Sequence, residues 1–168
     1  MFGSRGQFYL ALALLGGILD TSRTHANERV IIGRVENVVM QDAGAKLKAR
    51  IDTGAGVSSI DARNVRVEKA PDGSERVKFD LTDDRGKTTT VERKVMEWAE
   101  IKSQGGKARV RRPVVTLDIC LGGRRLEGRF NLTDRSRFLY PVLVGRNILK
   151  TGDFLIDPKG KFLKQPGC

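Results

Sequence analysis

Leu47-Lys48-Ala49-Arg50-Ile51-Asp52-Thr53-Gly54-Ala55-Gly56-Val57-Ser58-Ser59-Ile60 is the stretch from which the rest of the chain can be laid out. It reads as a short strand that runs into a turn carrying one acidic side chain. Ile51 is the last apolar residue before Asp52. Gly54 and Gly56 then admit backbone conformations that a side chain would forbid. From Val57 to Ile60 the extended pattern resumes. A carboxylate held between a strand and a glycine turn is a place where acid–base chemistry can sit.

Short strands recur on both sides of this turn. Val30 to Met40 is rich in β-branched residues. Asn64 to Glu68, Arg76 to Leu81 and Thr88 to Val95 read as strands, separated by turns at Pro71-Asp72-Gly73 and Asp83-Asp84-Arg85-Gly86. Glu97 to Val115 reads as a long hairpin with its tip at Ser103-Gln104-Gly105-Gly106-Lys107. Val115 to Leu121 alternates apolar and polar, and Gly122-Gly123 turns it into Leu126 to Leu132. Leu139 to Val144 is expected as one apolar strand, interrupted only by Pro141. Gly145 to Leu149 looks like one helical turn, and Phe154 to Ile156 is a last short strand. Many short strands with hardly any helical period predict an all-β protein, a small closed β-barrel or sandwich, with one short helix near the C-terminus.

The 168 residues suffice for one ordinary domain, and 39% hydrophobic with 30% charged residues fits a globular chain. The formal charge of +11 reads first as a solvated basic surface and second as a site for an anionic partner. Basic residues do not cluster with aromatics, so no nucleic-acid module is expected.

The first residues read as a leader. Arg5 supplies a short positive region, Phe8 to Leu19 an apolar run too short to span a bilayer, and Thr24-His25-Ala26 the small residues of a cleavage site. Residues 1–26 are therefore expected to be a signal peptide and 27–168 the mature domain. This predicts an exported protein, periplasmic in a bacterium with two membranes.

Removal of that leader takes away His25, the single histidine of the chain. Ser-His-Asp and Cys-His nucleophiles are then excluded, as is a zinc site with His ligands. There is no glycine loop ending in Lys-Ser or Lys-Thr to cradle a nucleotide. No metal and no cofactor is expected, and the chemistry is left to carboxylates, Lys, Ser, Thr or Tyr. The two cysteines, Cys120 and Cys168, could pair in an exported protein. Spacing does not fix the Cα separation a disulfide needs, and the reading leans slightly towards a half-buried strand thiol and a separate terminal one.

Asp-Thr-Gly alone is a weak signal, expected by chance in roughly one chain in thirty of this length. Ile51-Asp52-Thr53-Gly54-Ala55 resembles the active-site turn of the retropepsins, aspartic proteases of the retroviral type. Val142-Leu143-Val144-Gly145-Arg146-Asn147-Ile148-Leu149 is similar to the apolar-apolar-Gly-Arg-Asn-Leu segment of those enzymes. The Gly-tipped hairpin sits between the two, where a retropepsin has its flap. The closer resemblance is to a bacterial family known as ATP-dependent zinc proteases, often found beside or fused to an ATP-grasp amino-acid ligase. Arg50-Ile51-Asp52-Thr53-Gly54-Ala55, Ser58-Ser59 and Arg112-Pro113-Val114 carry it. The name of that family conflicts with the residues, which offer neither zinc ligands nor an ATP site.

The resemblance implies a closed β-barrel of the retropepsin (acid protease) type and peptide-bond hydrolysis. Asp52 would be the catalytic carboxylate, with Thr53, Gly54 and Ala55 supporting its turn. Ser103, Gln104, Gly105, Gly106 and Lys107 would form the flap, and Gly145, Arg146 and Asn147 the structural segment. Asp-Thr-Gly occurs once, so a pair of carboxylates requires a homodimer with one Asp52 per subunit. Asp118 and Asp157 are weaker candidates for completing the pair within one chain, since neither is followed by Thr-Gly or Ser-Gly. The expected partner is a peptide or protein substrate, with a functional link to an ATP-grasp ligase. A non-catalytic peptide-binding module on the same fold is the alternative. Two departures stand out. Retroviral enzymes have an acidic residue where this chain has Gly56, so Arg146 needs another partner. The chain is also longer than theirs between Asp52 and Gly145, with the extra length expected between Ala62 and Val95.

Overall fold

The computed structural model describes residues 29–102 and 109–168. The expected leader (1–26) and flap (103–107) lie outside the described residues. The described chain runs through β1 (Val30–Gly33), β2 (Val35–Met40), β3 (Ala45–Ile51), β4 (Ser58–Asp61), β5 (Arg63–Lys69), β6 (Glu75–Thr82) and β7 (Thr88–Lys94). It continues through β8 (Glu97–Lys102), β9 (Arg109–Leu121), β10 (Arg124–Thr133), β11 (Val142–Val144), α1 (Arg146–Thr151) and β12 (Phe154–Asp157).

Seven strands form the main sheet in the order β10-β4-β11-β3-β2-β9-β8, and β10 also pairs with β9, so the sheet closes on itself. Of the barrel and the sandwich that the strand pattern leaves open, the chain forms the closed all-β barrel, the one the resemblance implies. The period of two explains it. In β3 Ala45, Leu47, Ala49 and Ile51 are buried while Lys46, Lys48 and Arg50 are exposed. Phe130, Leu117, Ile119, Val142 and Val38 from the neighbouring strands complete the interior.

The placement of β11 decides where the candidate site lies. It is inserted between β3 and β4, parallel to the first (Val144 opposite Ile51) and antiparallel to the second (Val142 opposite Ile60). Two strands close in sequence are thus held apart by one from far downstream. The residues that follow β11 are delivered against the turn that joins β3 to β4.

The extra length before Val95 folds as a separate antiparallel sheet, β5-β6-β7. Its inner face contributes Val77, Phe79, Leu81 and Val91 to the same core as the barrel, so it packs as part of one domain. Gly73 at φ 80° and Gly86 at φ 83° close its two hairpins.

Three expectations need correction. Leu139 to Val144 is not one strand, because only Val142–Val144 pairs. Leu139 is 83% exposed, and the carbonyl of Pro141 takes the N–H of Asp61 just before β11 begins. The run from Val30 to Met40 breaks at Arg34, whose N–H donates to Gly160 and whose carbonyl accepts from Ile51. Lastly, Cys120 and Cys168 form a disulfide, with Cα atoms 5.8 Å apart. The tail is brought there by specific bonds. Phe162 N–H donates to the Val35 carbonyl, and the buried Glu36 carboxylate accepts the N–H groups of Gly33 and Leu163.

The two ends of the domain meet as well, because β1 pairs with β12 in parallel. Among the described residues no helix is long and apolar enough to cross a membrane.

Candidate active site

Asp52 sits at the end of β3, half-buried, where the strand leaves the barrel. Its N–H still donates to the Val144 carbonyl at 2.9 Å, the last bond of the β3–β11 ladder. Its side chain turns back over the loop, and Oδ1 accepts the Gly54 N–H at 2.8 Å. A Cβ at Gly54 would lie 3.1 Å from that oxygen, so glycine is what lets the backbone come this close. Among the described residues Oδ2 has no hydrogen-bond partner. One oxygen is held and the other is left without a protein partner among the described residues.

The turn is anchored by the start of α1. A helix leaves its first N–H groups without internal partners. Here Arg146 N–H donates to the Ala55 carbonyl at 2.8 Å and Asn147 N–H to the Gly56 carbonyl at 3.2 Å. The helix is thus capped by the backbone of the Asp52 turn rather than by a side chain at Gly145. A Cβ at Gly145 would come within 2.9 Å of the Ala55 carbonyl and 3.0 Å of Val57 backbone. Only glycine fits between them.

The guanidinium of Arg146 finds the partner that Gly56 does not supply. Its Nη1 donates to the carbonyls of Thr53 at 2.8 Å and Gly54 at 2.7 Å. Thr53 therefore supports the turn through its carbonyl, and its hydroxyl has no hydrogen-bond partner among the described residues.

Ser58 takes a larger part than its place in the sequence suggests. It is fully buried. Its Oγ donates to Asn147 Oδ1 at 2.9 Å and accepts the Gly145 N–H at 3.0 Å. Asn147 Nδ2 continues to the Arg129 carbonyl, and Asn131 Nδ2 to the Ser58 carbonyl. The Ser58-Ser59 pair was legible as a motif, but its role required knowing that β11 lies beside β4.

The structure thus brings together Asp52, Thr53, Gly54, Ala55, Gly145, Arg146 and Asn147. The other two acidic candidates stay apart from them. Asp118 pairs with Arg125 at 2.7 Å, and Asp157 Oδ1 accepts the Lys159 N–H at 2.8 Å. Neither is bonded to Asp52. A zinc ion has no fitting donor set here: both cysteines are in the disulfide, and the described residues hold no cluster of three or more His, Cys, Asp or Glu.

Residues 31–166 match the family described as RimB-like, retropepsin-like aspartic endopeptidase RimB. The chain belongs to the RimB-like family. A protein of Shewanella pealeana named "Probable alpha-L-glutamate ligase" is 34% identical over 141 residues, covering 82% of this chain and 30% of that protein. A protein of the same name from Parasynechococcus marenigrum is 29% identical over 136 residues, covering 79% of this chain and 28% of its own length. The chain therefore spans under a third of these relatives. A crystal structure of a Legionella pneumophila protein, titled as of unknown function, superposes with a TM-score of 0.71 at 30% identity. It covers 82% of this chain and 100% of the other. The RimB-like match runs from β1 into the tail held by Glu36, so it takes in the β5-β6-β7 sheet as well as the Asp52 turn.

Proposed function

We propose that this chain is an aspartic endopeptidase that acts as a two-fold homodimer, with one Asp52 from each subunit at the axis. Membership of a retropepsin-like endopeptidase family supports the reaction class. The observation that carries the reading further is the setting of Asp52, half-buried at the end of β3, with Oδ1 held by Gly54 N–H and Oδ2 without a protein partner among the described residues. A single Asp-Thr-Gly per chain supports the dimer, since one carboxylate cannot serve as both acid and base at once.

Two such carboxylates within a few Å share one proton. The ionised member takes a proton from a water, which attacks the peptide carbonyl carbon. The protonated member donates to the carbonyl oxygen, giving a tetrahedral diol. The proton taken from the water is then passed to the amide nitrogen as the C–N bond breaks, and the other carboxylate takes a proton back from a diol hydroxyl as the new carboxyl group forms, which releases amine and acid and restores the shared proton. The pair titrates as a unit. The bonds from Arg146 and Asn147 to the turn hold each carboxylate in register with the axis, a positioning role. Residues 103–107 are assigned as the flap that covers the substrate.

The substrate is proposed to be a peptide or protein with an acidic, glutamate-rich segment. The net charge of +11 and the glutamate-ligase name borne by the relatives support this, together with a functional link to an ATP-grasp ligase. Export, with cleavage after Ala26, remains part of the proposal, and N-terminal sequencing of the secreted chain tests it.

Asp52→Asn in the mature chain, assayed on a peptide library between about pH 4 and 7, is expected to abolish cleavage. Mixing inactive and active chains should poison activity beyond simple dilution. Persisting cleavage by the variant would sink the assignment of Asp52, and full activity in a strict monomer would sink the dimer.

A further inference from the structure

A concavity of about 540 Å³ lies away from Asp52, between the first strand of the inserted sheet and the start of β9. Arg63 and Val65 line one side, Val110, Arg111 and Arg112 the other, and Leu132 contributes to the wall. The β5–β6 pairing slips between Arg63 and Arg66, and Asn64 within the slip has φ 50°. Such a bulge re-aims the side chains around it. β5 is also an edge strand, with backbone groups free to pair with an added extended segment.

The charge in this groove is not balanced. Arg63 is satisfied, with Asp61 at 3.2 Å and Asp134 at 2.9 Å. Arg111 lies over the Trp98 ring at 4.9 Å and has no carboxylate partner among the described residues. Arg112 is half-buried and has no carboxylate or hydrogen-bond partner among the described residues. It also faces another cation. Burial holds the Arg135 guanidinium below its ordinary pKa, Asp61 opposes that shift, and the charge on Arg112 adds to it. The bonds of Arg135 go to Ser59 Oγ and the Tyr140 carbonyl. A half-buried guanidinium without a counter-charge is unfavourable, and a carboxylate brought from outside removes the penalty. Beside these cations Val65 is 38% exposed and Val110 46% exposed, an apolar surface fit for the methylene groups of a glutamate side chain.

We propose that this groove is a second binding site, separate from the Asp52 turn, for an extended acidic peptide whose carboxylates pair with Arg111 and Arg112. It deepens the peptidase reading, on which its role in gripping substrate rests, but the binding itself does not require cleavage.

The mature chain carrying Asp52→Asn is titrated with hexaglutamate and, separately, with hexaglutamine. Calorimetry gives affinity. Emission of Trp98, the single tryptophan, reports the site through its contact with Arg111. Hexaglutamate is expected to bind and to change Trp98 emission, and hexaglutamine to do neither. Arg111→Gln and Arg112→Gln should each weaken binding about tenfold, the loss of one charge-assisted pair. Lys159→Gln, outside the groove, should bind as the parent does. If a glutamine variant melts early, Arg112→Lys keeps the charge and is expected to retain part of the affinity. Equal binding of hexaglutamine, parental affinity in both arginine variants, or an equal loss in Lys159→Gln would each overturn the proposal. Because the readout is binding by an Asp52→Asn chain, failure here is distinguishable from failure of the peptidase reading.

Discussion

Arg146 donates from its guanidinium to the Thr53 carbonyl oxygen at 2.8 Å, across 93 residues of chain. With the second bond to Gly54, a cation holds the Asp52 turn by its backbone. Retroviral enzymes, by resemblance, place an acidic side chain at the position of Gly56. Here the carbonyls do that work, and Gly56 is left clear, with Arg146 Nη2 3.7 Å from where its Cβ would be. Arg146→Ala should destabilise the fold by about 1.5–2 kcal/mol, the lower part of the range for hydrogen bonds to charged groups because the side chain is exposed. Arg146→Lys, a point charge without the fork, should recover only part of that. Urea unfolding midpoints decide it, and an Arg146→Ala protein as stable as the parent would show the contact to be incidental.

Ser58→Ala removes a buried hydroxyl that serves two partners. Gly145 N–H and Asn147 Oδ1 would lose it together. An unsatisfied buried group costs about 1–3 kcal/mol, so the loss should exceed that of an ordinary surface Ser→Ala. Activity should fall with it, since Gly145 and Asn147 anchor the Asp52 turn. A stability change within ~0.5 kcal/mol of the parent would contradict this, being the range of neutral surface substitutions.

Cys168→Ser releases the tail from β9. The bridge closes a separation of 48 residues, and cross-links of this kind stabilise by about 2–4 kcal/mol. A lowered melting temperature is expected, and the reduced parent should melt where the variant does. The Glu36 bonds to Gly33 and Leu163 remain, so the domain should still fold cooperatively.

Acid should loosen the inserted sheet. Hydrogen bonds from Asn64 and Thr90, with Arg66 nearby, hold the Asp80 carboxyl below its usual value near 3.8. Bonds from Ser136, aided by Arg63 and Arg137, do the same for Asp134. A depressed folded pKa contributes stability that is present above the unfolded value and lost as pH falls through the folded one. The loss therefore lies below about pH 3.8 for both groups. Hydrogen exchange in β5 to β7 should accelerate in that window, and Asp80→Asn should reduce the acid sensitivity of the sheet. No change in the slope would show that Asp80 does not couple to folding.

How far the sequence alone reaches can be judged from particular residues. The alternation in β3 and β9 and the glycine turns made the all-β class legible, because a period of two needs only local order, while the choice of barrel over sandwich came by resemblance. Ile51-Asp52-Thr53-Gly54 and Gly145-Arg146-Asn147 were legible as a site by resemblance. Strands were legible between Asn64 and Val95, though their form as a sheet sharing the core was not. Leu139 misled, because an apolar residue two places before a proline looks the same whether it enters a strand or lies exposed in the loop ahead of it.

The sequence by itself determined the strand content and the position of the candidate carboxylate. Each follows from residue identity or near-neighbour pattern. The tertiary structure alone decided that β11 enters between β3 and β4, that Arg146 grips carbonyls rather than a carboxylate, that Ser58 joins the two segments, and that Cys120 meets Cys168. Those are contacts between residues far apart in the chain, chosen by how the barrel closes and by which buried polar groups must find partners there.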